Sequence, residues 1–125
     1  MIFDTDIFIW VQRNNQRAAK LIDAAGDRCL SIQTYLELLQ GAKNKLQHQI
    51  IKRFLKDYGF SVLPLTENIG HRALVYVGEY TLSSGLMAGD AIIAATATEN
   101  NLPLVTSNAK HFKAIRDLTL NVFQP

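Results

Sequence analysis

Three of the eleven acidic residues sit in apolar company. Asp4 lies in Ile2-Phe3-Asp4-Thr5-Asp6-Ile7-Phe8, Glu37 in Tyr35-Leu36-Glu37-Leu38-Leu39, and Asp90 in Met87-Ala88-Gly89-Asp90-Ala91-Ile92-Ile93. An ionised carboxylate is costly to bury unless a cation or hydrogen-bond donors compensate it. As a chemical set these are hard oxygen donors, which suit magnesium or manganese. No Cys/His cluster points to zinc. His48, His71 and His111 are too scattered to make a metal motif, and surface or structural roles are expected for His48 and His71. The chain has no G-x-S-x-G elbow, Walker A loop or G-x-G-x-x-G signature.

Each acid also has a plainer explanation. Aspartate caps helices well, and for Asp6 capping of the first helix is the preferred reading. Asp4 follows a strand directly and precedes that expected cap, so chemistry is preferred there. Glu37 alone belongs more often to a solvated helix face than to a site. For Asp90, at the start of its helix, capping and chemistry are equally good readings.

The elements that must position these acids alternate short apolar runs with helical patterns, the mark of a parallel sheet covered by helices. Strands are expected at Met1–Phe3, Arg28–Ser31, Phe60–Leu63, Pro103–Thr106 and Leu120–Phe123. Helices are expected at Asp6–Val11, Gln16–Ala25, Thr34–Leu46 and Gln47–Tyr58, the last ended by Gly59 as a left-handed cap. Thr66-Glu67-Asn68 opens a long helix with Ile69, Ala73, Val77 and Tyr80 on one face. A final helix runs from near Ala88 to about Glu99 and ends at Asn100 and Asn101. Its stretch from Asp90 to Ala97 is almost wholly small and apolar, so it is expected to be packed on nearly all sides. In open α/β sheets the ligand crevice lies beyond the carboxyl ends of the strands, and Asp4 stands at such an end.

At 125 residues the chain fits one domain, with 48% hydrophobic and 19% charged residues, an ordinary globular balance. No apolar run approaches a membrane span, and Met1-Ile2-Phe3-Asp4 does not have the pattern of a secretory leader. The single cysteine, Cys29, cannot form an internal disulfide, so a reducing cytoplasm is expected and Cys29 reads as a small hydrophobe on a strand. Net charge is +2; without the three acids above, 13 basic residues face 8 acidic ones, or 13 − 8 = +5. A mildly basic body around an acidic cluster suits a polyanion bridged by metal.

Four blocks carry a family resemblance: Met1-Ile2-Phe3-Asp4-Thr5-Asp6, Ser31 through Gly41, Gly89 through Ala97, and Leu104 through Phe112. In this order and spacing they resemble the PIN-domain ribonucleases, most closely VapC-type toxins of bacterial and archaeal toxin–antitoxin pairs. The resemblance implies a three-layer α/β/α fold with a central parallel sheet of four to five strands, as a single domain over 1–125. It implies a magnesium- or manganese-dependent endoribonuclease in which Asp4, Glu37 and Asp90 are the catalytic residues and metal ligands. Thr5, Thr106 and Asp6 would support them by hydrogen bonds. The family's fourth position falls in Thr106-Ser107-Asn108, where this chain offers Asn108 rather than a carboxylate, so a tightly held second metal is not expected. RNA products would carry 3′-hydroxyl and 5′-phosphate ends. A homodimer and a cognate antitoxin are implied as partners, the antitoxin's peptide covering the acidic crevice.

Lys43, Lys45, Arg53, Lys110, Lys113 and Arg116 are the expected RNA contacts, whereas Lys52 and Lys56 read as a solvated helix face. Two rivals remain. A phosphatase of the haloacid dehalogenase type would open with a D-x-D like Asp4-Thr5-Asp6, but the second acid of its G-D-x-x-x-D motif is Ala94 here. A catalytically inactive RNA-binding PIN domain would not need all three principal acids.

Overall fold

The computed structural model describes residues 1–125 as β1 (Ile2–Phe3), α1 (Thr5–Gln12), α2 (Gln16–Ala24), β2 (Cys29–Ser31), α3 (Ile32–Gly41) and α4 (Lys45–Asp57). The chain continues as β3 (Ser61–Leu63), α5 (Glu67–Ser84), α6 (Ala88–Glu99), β4 (Leu104–Thr106), α7 (Ala109–Phe112) and β5 (Leu120–Val122). The five strands pair in the order β3-β2-β1-β4-β5, all parallel. Successive residues of a strand face opposite sides, so Phe3, Leu30 and Val105 join Ile7, Phe8, Ile22, Ile51 and Leu55 on one face. Ile2 and Leu104 join Ile69, Ala73, Ile93 and Ala94 on the other. This is the expected α/β architecture, with helices on both faces of the sheet. No helix is long and apolar enough to cross a membrane.

The order reverses at β1, where β2 lies on one side and β4 on the other. The carboxyl ends of β1 and β4 therefore flank the switch point, where crossovers diverge and leave a crevice. Six of the twelve residues of α6 are buried, as its small side chains require if the helix is to sit close to its neighbours.

Local chemistry accounts for the differences from the expected boundaries. The expected helix 34–46 is α3, which begins at Ile32 because Ser31 caps it by accepting from Thr34 N. It ends at Gly41, and Asn44 starts α4 by accepting from Gln47 N, so the break comes earlier than expected. Helix α7, four residues long, was not expected; so short a helix leaves no periodic trace. Gly59 has φ +66, as its role after α4 predicts. Cys29 is half-buried at the start of β2, and burial pushes its thiol pKa up, consistent with a packed rather than a nucleophilic residue.

Candidate active site

Strand β1 ends at Phe3, yet its pairing with β4 runs one residue further, where Asp4 N donates to Val105 O at 2.9 Å. Asp4 is thereby held at the carboxyl end of the sheet with 5% of its surface exposed. Asp4, and not Asp6, is the N-cap of α1: its Oδ1 accepts from Thr5 N at 2.7 Å. The capping expectation for Asp6 is corrected here, because the helix begins with no linker after the strand. The cap occupies Oδ1 of Asp4, and its Oδ2 accepts from Thr106 Oγ1 at 2.8 Å.

Asp6, in the first turn of α1, ties that helix to the loop after β4. Its Oδ2 accepts from Ser107 N at 2.9 Å and from the Ser107 hydroxyl, with Thr106 Oγ1 at 3.4 Å. Its Oδ1 is buried without a hydrogen-bond partner. The phosphatase reading would need Asp6 as a free acid, which this bonding does not leave it. Ser107 also accepts from Trp10 Nε1 at 3.2 Å. Ser107 went unnoticed in the sequence, where its only signal is its place inside the Thr106-Ser107-Asn108 segment.

Glu37 is half-buried on α3, and Thr5 Oγ1 donates to its Oε1 at 2.7 Å. The same hydroxyl stands 3.1 Å from Thr34 Oγ1, and Thr34 in turn accepts from Ser31 Oγ at 3.3 Å. Ser31 and Thr34 are both fully buried, so a line of hydroxyls leads from the β2–α3 junction to Glu37. Ser31-x-x-Thr34 is a capping spacing that could have revealed this line. Glu37 also explains Gly89. A Cβ added there would lie 3.2 Å from Glu37 Oε2 and 3.1 Å from Gln33 Nε2, so a bare backbone lets the start of α6 approach α3.

Asp90 lies in the first turn of α6, but the N-cap is Met87, so capping does not explain this carboxylate. Its Oδ2 is 3.4 Å from His111 Nδ1, and that nitrogen is 3.0 Å from Asn108 Nδ2. The Asn108 side chain is exposed and turned to His111, while its backbone N–H donates to Thr106 Oγ1 at 2.9 Å. Thr5 thus bonds the Glu37 carboxylate and Thr106 that of Asp4, while the Asn108 amide lies against His111.

Electrostatics mark Asp4 out. Burial first, and then the charges of Asp6 and Asp90, raise its pKa from 3.8 to about 7 against the bonds from Thr106 and Thr5. No lysine or arginine forms a salt bridge with Asp4, Asp6, Glu37 or Asp90; the basic side chain beside them is His111, next to Asp90. No three His, Cys, Asp or Glu side chains are gathered tightly enough to enclose an ion by themselves. A dedicated all-protein cage of the zinc kind is therefore absent, but magnesium keeps several waters and binds through one or two carboxylates. Asp4, with Asp6 and Asp90 close enough for their charges to raise its pKa and with one Asp6 oxygen buried and unpartnered, fits that mode of binding.

The expected basic contacts divide in space. Lys110 and Lys113 are exposed on and just after α7, beside His111. Lys43 is exposed just before α4, and Lys45 and Arg53 are exposed on it. Arg116 instead lines a cavity with Arg72, Glu99 and Asp117 that includes none of Asp4, Glu37 and Asp90.

A family model described as the PIN domain matches residues 1–118. A toxin–antitoxin complex from Klebsiella pneumoniae contains a chain 30% identical, with 94% of each chain covered and a TM-score of 0.80. VapBC-1 from nontypeable Haemophilus influenzae gives 25% identity, 98% coverage of each chain and a TM-score of 0.77. VapBC2 from Rickettsia felis, bound to a DNA fragment from its promoter, gives 24% identity, 99% and 100% coverage and a TM-score of 0.77. No curated protein matches the chain. With the family model spanning nearly all of its length and the acids at the carboxyl end of its parallel sheet, this chain belongs to the PIN-domain family.

Proposed function

We propose that this chain is a magnesium- or manganese-dependent endoribonuclease and the toxin of a toxin–antitoxin pair. The observation that carries the reading is Asp4: a buried carboxylate facing two other acids, with no lysine or arginine to answer it. Such charge is stable only when a proton or an added cation neutralises it. The likeness to a Klebsiella pneumoniae toxin–antitoxin complex supports the biological half of the reading.

In this account Asp4 and Asp90 hold the ion, with Glu37 completing the set directly or through water. The bound ion supplies a lowered water pKa and stabilisation of charge on the phosphoryl oxygens. The protein's own part is positioning. Thr5 N–H and the Thr106 hydroxyl hold the Asp4 oxygens, and the Thr5 hydroxyl holds Oε1 of Glu37, leaving Oε2 facing Gly89 and Gln33. Asp6 anchors Ser107, the residue that follows Thr106 at the end of β4. Water rather than the ribose 2′-hydroxyl is the nucleophile, so the products carry 3′-hydroxyl and 5′-phosphate ends.

An antitoxin and a second copy of the chain are the proposed partners. An apolar trough of about 250 Å³ beside Glu37, lined by Ile9, Leu38, Ile50 and Ile51, offers a peptide a seat next to the acids. An arginine on that peptide would compete for the carboxylates. Leu74 and Leu82, 72% and 99% exposed on α5, give a second copy apolar surface to cover.

The test is cleavage of single-stranded RNA by purified protein with magnesium or manganese. Activity lost in chelator and in Asp4→Asn, with 5′-phosphate ends on the products, supports the reading. Absence of cleavage, or undiminished cleavage in chelator, overturns it.

A further inference from the structure

The acids account for the scissile phosphate but not for the rest of a strand. A groove of about 460 Å³ lies between the end of α5 and α7, lined by Ser83, Ser84, Gly85, Lys110, His111 and Lys113. It contains no acid and no apolar side chain. The larger cavity around Arg72, about 600 Å³, has the opposite character. Its arginines share it with Glu79, Glu99 and Asp117, and Arg72 is already bonded to the last two. The troughs along α4 are mainly apolar. Of these surfaces, a polyanion finds unopposed cations in the α5–α7 groove.

We propose that this groove carries the phosphodiester backbone of the RNA strand beyond the cleavage site, an inference that rests on the ribonuclease reading. Its continuity with the site comes from His111, which lines the groove while its Nδ1 lies 3.4 Å from Asp90 Oδ2. Lys110 and Lys113 are three residues apart, a spacing that puts both on one side of a helical turn. Both are exposed and neither is in a salt bridge. Across from them, the Ser83 hydroxyl makes only long contacts, 3.5 Å to Tyr80 O and 3.4 Å to Ser84 Oγ, so it is free to turn toward a phosphate oxygen. No phenylalanine, tyrosine or tryptophan lines the groove, and its one aromatic ring is the imidazole of His111, so it offers no run of stacking platforms for successive bases. Contacts of this kind position a strand without reading its sequence.

The test is equilibrium binding of an unstructured single-stranded RNA oligonucleotide across a salt series, in the Asp4→Asn background so that the strand stays intact. Two lysine–phosphate contacts account for about 1.4 in the slope of log K against log[salt] for a single strand. Lys110→Ala/Lys113→Ala should lower the slope by that amount. Between roughly 50 and 200 mM salt its affinity should then fall about sevenfold less than that of the parent. The weakening should be the same for different RNA sequences. Ser83→Ala/Ser84→Ala should weaken binding at every salt concentration and leave the slope alone. Lys52→Ala/Lys56→Ala removes the same net charge from α4 and should change neither affinity nor slope. An unchanged slope in the α7 pair, or an equal change in the α4 pair, overturns the groove assignment while the ribonuclease reading survives. If the wild-type chain neither binds nor cleaves RNA, both fall together.

Discussion

Near the amino ends of β4 and β5, Arg72 bonds Glu99 and Asp117, and Tyr76 donates from its hydroxyl to Asp117 at 2.9 Å. At the carboxyl ends of β1 and β4, Asp4, Asp6 and Asp90 lie close enough for each of the other two to raise the pKa of Asp4. One guanidinium answers both carboxylates of the first cluster, and no lysine or arginine answers those of the second. Glu99 is about as shielded as Asp90, with side chains 21% and 24% exposed, so burial alone does not separate them. The difference is the absence of any lysine or arginine among the acids of the second cluster. Charge compensation serves stability at one end of the sheet, and its omission leaves room for a cation at the other.

The sharpest way to break this comparison is Asp4→Asn. Cleavage should fall by about 10²–10³-fold, the scale of losing a main electrostatic contributor, while the metal-free protein becomes more stable because a buried like-charge contact is gone. Loss of activity accompanied by loss of stability would place Asp4 with the structural charges instead. The mirror experiment is Arg72→Met, which strands two carboxylates. It should cost about 1–2 kcal/mol in denaturant titration, limited by partial solvent exposure, with cleavage per folded molecule unchanged.

Thr5→Val sharpens the comparison by removing a positioning bond without touching charge. Glu37 loses its 2.7 Å partner, and cleavage should fall roughly tenfold from misplacement alone. Gly89→Ala is milder. Its Cβ asks Glu37 Oε2 and Gln33 Nε2 to give by a few tenths of an ångström, so a loss of about threefold in rate is expected with little change in melting temperature.

Much of the acidic end was legible because costly carboxylates in apolar windows are conspicuous, and because Phe3 and Val105 each lie one residue before a polar side chain that ends a buried strand. Which of Asp4 and Asp6 caps α1 was not legible. That depends on the helix starting at Thr5 without a linker, a matter of one residue of backbone path. The α3–α4 break was hidden because Tyr35, Leu38, Leu39 and Ala42 keep helical spacing up to its edge, while the signal that matters is Asn44. The contacts from Thr5 to Glu37 and from His111 to Asp90 join separate elements, so no local pattern announces them. Arg72, Glu99 and Asp117 were ordinary surface charges in the sequence, and only the fold brings them together.

Proton linkage at Asp4 turns the comparison into a pH experiment. With its folded pKa raised from 3.8 to about 7, the native state holds more protons than the unfolded chain between those values. Stability of the metal-free protein should therefore fall as pH rises through that window, and Asp4→Asn should flatten the fall. The same proton competes with a cation, so affinity for the ion should strengthen up to about pH 7.

Thermal melting above pH 7, with and without magnesium or manganese, tests the claim at its root. At roughly a hundredfold excess of ion over Kd, the wild-type melting temperature should rise by about 10 °C, and that of Asp4→Asn should not move. If the wild type is indifferent to both ions, or if Asp4→Asn responds as strongly, the uncompensated acids do not hold a cation and the account is contradicted.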